Sequence, residues 1–208
     1  MMSRNFKFFG LICLLAYAAC TPKMQPVAEL VPIADAKEVV DEGITINPTA
    51  STDIDTVKKS LKAFASSMIG NANVKVLYHS PAVRGRVIWG GLIPFDQVWV
   101  TGAHMATAIT VDKSFSIGNK KIEAGKYALF TFPGKEEWIV AINKNWEQHL
   151  ADEYSANDDL VRISIKPEIV NGVQERLMYQ LKPKENNSGH IEISWEKLRL
   201  TIPLRIID

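Results

Sequence analysis

Cysteine is nearly missing from this chain: of 208 residues only Cys13 and Cys20 carry a thiol, and both sit near the start. The remainder therefore has no disulfide framework and no thiolate site. Also absent are an HExxH pair, a GxSxG elbow and a Gly-rich phosphate loop. Those absences remove the local signatures of zinc peptidases, α/β-hydrolases and nucleotide-binding enzymes. An excess of one charge is lacking as well. The formal net charge is +1, and without Arg4 and Lys7 it becomes −1, with 22 basic residues facing 23 acidic ones. Such a balance gives no electrostatic footprint for nucleic acid, and no such partner is expected. No internal repeat or heptad is present.

What is present begins with an export signature. Arg4 and Lys7 precede an apolar run from Phe8 to Leu15, the length of a signal-peptide core and too short for a stable membrane span. Residues 1–19 are read as a signal peptide. Ala18-Ala19-Cys20 resembles the end of a bacterial lipobox, with Cys20 as the lipid attachment point, although Tyr17 replaces the usual Leu at its start. Ala16-Tyr17-Ala18 offers ordinary signal-peptidase cleavage as the alternative. Lipidation predicts a protein anchored in the cell envelope, at the outer membrane; the alternative predicts a soluble periplasmic or secreted one. Residues 20–52 hold four prolines and no sustained period, which reads as a flexible tether.

For residues 53–69 two readings stand. Ile54, Val57, Leu61, Phe64 and Met68 recur at near-helical spacing, which predicts a short amphipathic helix. Its second part, Lys62 to Ile69, reads alternatively as a lead-in strand ending at Gly70. From residue 70 to 208 the apolar residues alternate in short runs, as in Val74, Val76 and Tyr78, or Tyr127, Leu129 and Thr131. Turn signals such as Gly118-Asn119, Pro133-Gly134, Asn171-Gly172 and Asn186-Asn187-Ser188-Gly189 separate the runs. This pattern predicts an all-β domain, an antiparallel β-sandwich or barrel, with one short helical insertion over residues 145–154.

The densest chemistry lies between Tyr78 and Thr110, which holds Arg84, Arg86, Trp89, Trp99, His79, His104 and four glycines. Arg84 and Arg86, two apart, would point the same way from an extended strand and could converge on a carboxylate, a phosphate or sugar hydroxyls. Equally, they could clamp carbonyls that fix a loop. Gly90-Gly91 after Trp89 predicts a tight turn or a close backbone approach. Trp89 and Trp99 suit either a stacking platform or a core. With Thr101, His104 and Thr107 these residues form the candidate ligand-binding set. A metal site would draw on His104 and His149, with Asp152, Glu153 or Asp112 nearby, but no local ligand spacing supports it. Ser80 with His79 or His104 and Asp96 supplies the atoms of a triad, yet Pro81 restricts Ser80 to extended backbone. The acidic pairs Glu136-Glu137, Asp152-Glu153 and Asp158-Asp159 read as solvated loops.

The motifs Ser80-Pro81, Arg84-Gly85-Arg86, Trp89-Gly90-Gly91-Leu92, Trp99 and Thr101-Gly102-Ala103 resemble domain-of-unknown-function family 2911. The similarity continues through Ala124-Gly125-Lys126-Tyr127, Asn143-Lys144, Asp159 to Arg162, and Trp195, covering about residues 70–206. It implies a β-rich, exported or lipid-anchored protein of Bacteroidetes-type bacteria, with no assigned activity. The chain departs from the commoner form of that family at Val100, at His104-Met105 and at His149-Leu150. Three functions remain open on these grounds. One is non-enzymatic binding of a small molecule, glycan or envelope protein. Another is a hydrolase or metal-dependent enzyme using His104 and His149. The last is a structural envelope protein.

Overall fold

A computed structural model describes residues 59–207. The expected signal peptide, tether, Cys20 and the first part of the 53–69 segment lie outside the described residues.

Ten strands form two antiparallel sheets. They are β1 (Leu61–Ile69), β2 (Ala72–Ser80), β3 (Thr107–Val111), β4 (Phe115–Ile117), β5 (Lys120–Ile122), β6 (Gly125–Pro133), β7 (Trp138–Asn143), β8 (Asp159–Ile165), β9 (Glu168–Pro183) and β10 (Ser188–Ile206). Six are ordered β1-β2-β3-β6-β7-β8 and four are ordered β5-β4-β10-β9. The sheets do not close into a barrel, so the sandwich reading holds. Alternation dictates the inner faces: in β2, Ala72, Val74, Val76 and Tyr78 are buried while Asn73 and Lys75 are exposed. Together with Ile109, Leu129, Phe130, Ile191 and Ile202 they build one continuous core.

Two expectations are corrected. Of the two readings of residues 53–69 the helix gives way and the lead-in strand ending at Gly70 holds: Leu61 to Ile69 is strand β1, paired along its whole length with β2. The two-residue turn Gly70-Asn71, with Gly70 at φ +58°, folds β1 back onto β2. Local turn chemistry and nine paired residues outweigh an apolar spacing that fits a helix by coincidence. Met68 and Phe64, the supposed helix face, are not core: Met68 is exposed and Phe64 lies half-buried under Lys75, 5.3 Å from its ring centre. Nor is the insertion at 145–154 helical. It is an irregular loop followed by a single 3-10 turn, Ala156–Asp158.

Strand β10 carries a device the sequence hides. Up to Trp195 its buried large residues are odd-numbered (Ile191, Ile193, Trp195); beyond it they are even (Leu200, Ile202, Leu204, Ile206). A register shift around Glu196, whose φ is +55°, makes the change. From Ser194 to Leu198 β10 advances four residues while its partners in β9 run nine, from Met178 to Ile169; this irregularity flips side-chain parity and lets one long strand keep an apolar inner face. Asn171-Gly172, read as a turn, lies inside β9 opposite this irregularity, with Gly172 at φ +103°.

Candidate functional site

Ser80-Pro81 is where the chain leaves one sheet and reaches the other. Pro81 has no N–H to offer, so pairing continues through carbonyls and side chains. Ser80 Oγ donates to Leu177 O at 2.7 Å, and Pro81 O accepts from Leu177 N at 2.9 Å. Val83 N then donates to Glu175 O, and Arg84 N to the Glu175 carboxylate at 2.8 Å. Arg176, largely buried, donates from Nη1 to Ser80 O at 2.8 Å. The segment is thereby stapled to β9.

The expectation that Arg84 and Arg86 lie on one extended strand is corrected. Arg84 and Gly85 occupy a turn, at φ +49° and +65°. Arg86 then folds back: Nε donates to Val83 O at 3.1 Å and Nη2 to Ala82 O. Both arginines nevertheless border one cavity. In the WGGL stretch each glycine meets one of the two predicted needs. Gly90 adopts φ +77°, and a Cβ on Gly91 would collide with Val87 O.

Four tryptophans gather beneath this loop. Trp89 lies 4.7 Å from Trp138, 5.9 Å from Trp99 and 5.7 Å from Trp195, ring centre to ring centre. Trp99 and Trp195 stack at 5.7 Å with planes 23° apart. Trp99 Nε1 donates to Gly102 O at 3.0 Å, whereas the Nε1 groups of Trp89 and Trp195 are buried without a protein partner. Trp99 is only 7% exposed, so its ring offers no open face on which a sugar could stack. Of the two platform candidates, Trp89 is partly exposed, packs against the core and does not border the cavity.

Thr101 and Thr107 are fully buried and structural. Thr101, at φ +52°, places Oγ1 3.0 Å from Thr131 Oγ1, and its carbonyl accepts from Thr107 Oγ1 (3.1 Å) and Tyr179 OH (2.7 Å). Burial raises the Tyr179 phenol well above its ordinary range, so it serves as a fixed donor rather than a proton-transfer group. This knot fixes the loop that follows Trp99.

The cavity has a volume of about 450 Å³ and is bordered by Arg84, Arg86, Trp99 and His104 together. That size lies within the usual range for small-molecule sites. Ala82, Trp99, Val100 and Trp195 are buried walls; Leu92, Leu150, Arg84, Arg86 and His104 are exposed and frame the mouth. Val100, His104 and Leu150, three of the positions that depart from the commoner family form, all border it. Sequence reasoning missed Lys59, Leu92, Pro94 and Leu150, apolar or isolated residues whose only signal is proximity after folding.

The histidines separate. The His104 ring packs edge-on against His79 at 5.3 Å, and Met105 bridges to His149. His149 Nδ1 sits 3.8 Å from Asp152 Oδ2 on exposed surface and does not border the cavity. Burial, then the neighbouring His104 and Lys62, lower the pKa of His79 below its ordinary 6.5, so it is neutral at pH 7. Among the described residues no three His, Cys, Asp or Glu side chains assemble as a metal set. Asp96, the third member of the supposed triad, is exposed and does not border the cavity. One acidic residue was misread. Asp159, read as part of a solvated loop, has a side chain only 5% exposed. It accepts from Asn143 Nδ2 (2.7 Å), Arg162 Nε (2.6 Å) and Tyr154 OH.

The fold and the site define the class of an all-β, antiparallel two-sheet sandwich with an apolar, cation-rimmed cavity at its sheet-crossing loop. Residues 60–204, more than half of the chain, match the family described as "Protein of unknown function (DUF2911)", and the chain belongs to that family. No curated protein and no solved structure matches it.

Proposed function

We propose that this protein is an envelope-associated binding protein that holds a small molecule in the cavity at its sheet-crossing loop, without chemical turnover. The observation that supports the reading is the convergence of Arg84, Arg86, Trp99 and His104 on one hollow of about 450 Å³ with mainly apolar walls. A closed set of nucleophile, base and orienting acid does not accompany it among the described residues. A small molecule is favoured over a glycan because Trp99 is nearly buried and Trp89 does not border the cavity, so neither ring gives the cavity an open stacking face.

Trp99 and Trp195 both border the cavity, so an occupant should perturb their emission. Titrating the purified protein with a panel of small apolar, anionic, cationic and sugar ligands, read by tryptophan fluorescence and calorimetry, is expected to yield saturable one-site binding. Competent binding by no member, or turnover of a bound ester or amide, would overturn the reading.

Export and anchoring are part of the same proposal, supported by the apolar run Phe8 to Leu15 and by Cys20 directly after it. Cys20→Ser is expected to move the protein from the membrane fraction to the soluble fraction and to abolish incorporation of a labelled fatty acid. Unchanged fractionation and labelling would count against lipidation.

A further inference from the structure

We infer that the cavity selects an amphipathic anion: a ligand of roughly ten to fifteen non-hydrogen atoms with an apolar body and one carboxylate-type or phosphate-type end. This deepens the binding reading and rests on it. Size comes from volume, since about 450 Å³ equals on the order of fifteen water volumes at about 30 Å³ each.

Charge comes from the border. Lys59, Arg84 and Arg86 contribute to it, and among the described residues no Asp or Glu does. The nearest acid the loop engages, Glu175, is occupied by the Arg84 backbone N–H. Arg86 supplies the most directed cation. Its guanidinium is oriented by the carbonyls of Ala82 and Val83, which use two of its five N–H groups and neutralise none of its charge. Among the described residues no carboxylate lies within ion-pair distance of it. A guanidinium already fixed in place loses little conformational freedom when an anion arrives.

The apolar body comes from the walls. Leu92, Ile93, Pro94, Val98, Val100 and Leu150 carry no hydrogen-bonding side-chain atoms. A polar ligand would lose hydration against them without compensation, whereas an alkyl or aryl group gains about 25 cal/mol per Å² covered. A low-dielectric wall beside a cationic rim also strengthens the attraction for the anionic end.

The test uses ligands sharing one body. Decanoate, decyl phosphate, decanol and decylamine, with acetate as an anion lacking a body, are titrated into the purified protein. Decanoate or decyl phosphate is expected to bind about ten- to a hundredfold more tightly than decanol, the span of one charge-assisted hydrogen bond. Decylamine and acetate are expected to bind more weakly still. Which anion binds better distinguishes the carboxylate source from the phosphate source.

Arg86→Gln is expected to erase the preference for the anion over decanol. Because Arg86 also braces its loop, Leu92→Glu is the second variant. Leu92 is 42% exposed, so the fold tolerates the charge there, and anion binding is expected to fall at least about tenfold with thermal stability unchanged. Equal binding of decanol and both anions overturns this inference while leaving the broader binding reading intact. So does binding of acetate as tight as decanoate, or failure of both anions to bind; the broader reading stands or falls on the wider panel alone.

Discussion

Trp195→Ala is expected to destabilise the domain by about 3–5 kcal/mol, the range for truncating a fully buried large aromatic. For a domain of this length that corresponds to a fall of roughly 10 °C in the unfolding midpoint. Trp195 is 2% exposed, stacks on Trp99 and meets the edge of Trp89. It borders both the ligand cavity and a small interior void of about 10 Å³ next to Trp89 and Trp138. Removing the indole would join the two hollows, and the cluster cannot collapse because the other three rings are held by β6, β7 and the WGGL loop. Denaturant unfolding followed by circular dichroism measures the loss. Trp195→Phe is the informative partner. It deletes a buried N–H that has no protein acceptor, so a donor whose burial costs energy goes with the lost volume. Its cost is expected to stay below about 2 kcal/mol. A loss under about 1 kcal/mol for Trp195→Ala would mean that the cluster is not the packing centre described above.

That cluster shows how far the residue pattern reached. Period-two alternation located most strands, because a half-buried strand must alternate and nothing else in the chain does. It failed at β1, where Leu61, Phe64 and Met68 mimic a helix face while an edge strand leaves all three outside the core. It failed again at β9 and β10, where bulges at Gly172 and Glu196 let single strands run through what look like turns. Parity changes of this kind depend on the partner strand and cannot be read from one segment.

The site was legible in its polar part and in Trp99. Arg84, Arg86 and His104 were visible as concentrated chemistry, and they do share a cavity. Their geometry was not visible, since a turn at Arg84-Gly85 replaces the strand that would have aligned them. The other apolar walls carried no signal, because Leu92, Pro94 and Leu150 become neighbours only through tertiary structure. Thr101 and Thr107 illustrate the converse error. A conspicuous polar residue inside a motif is as readily a buried brace as a ligand contact, and here burial decides for the brace.

The second large effect is expected at a position that does not border the cavity. Asn143→Ala should cost about 3 kcal/mol, because its side chain is fully buried and closes three hydrogen bonds at once. Nδ2 donates to Ser155 O (3.0 Å) and to Asp159 Oδ1 (2.7 Å), while Oδ1 accepts from Asn145 N (2.9 Å). Truncation leaves two backbone groups and one carboxylate oxygen short of partners at the end of β7. Asp159 passes the constraint outward. Arg162 binds its Oδ2 from β8 and also lies over the Phe132 ring at 5.1 Å, and Tyr154 donates to the same oxygen. Burial first, and the Asp159 bond next, push the Tyr154 phenol up to about 12, so it stays protonated and donating across the neutral range. Asn143 and Asp159 therefore act as one unit that pins the long 144–158 loop, whose Leu150 borders the cavity. Asp159→Ala alone is expected to cost about as much as Asn143→Ala, and the double variant clearly less than the two combined. Loss of the network should also loosen Leu150 and weaken ligand binding without any change to Arg86. Additive costs in a double-mutant cycle would show that the two residues act separately, and unchanged binding would show that the loop is held by other contacts.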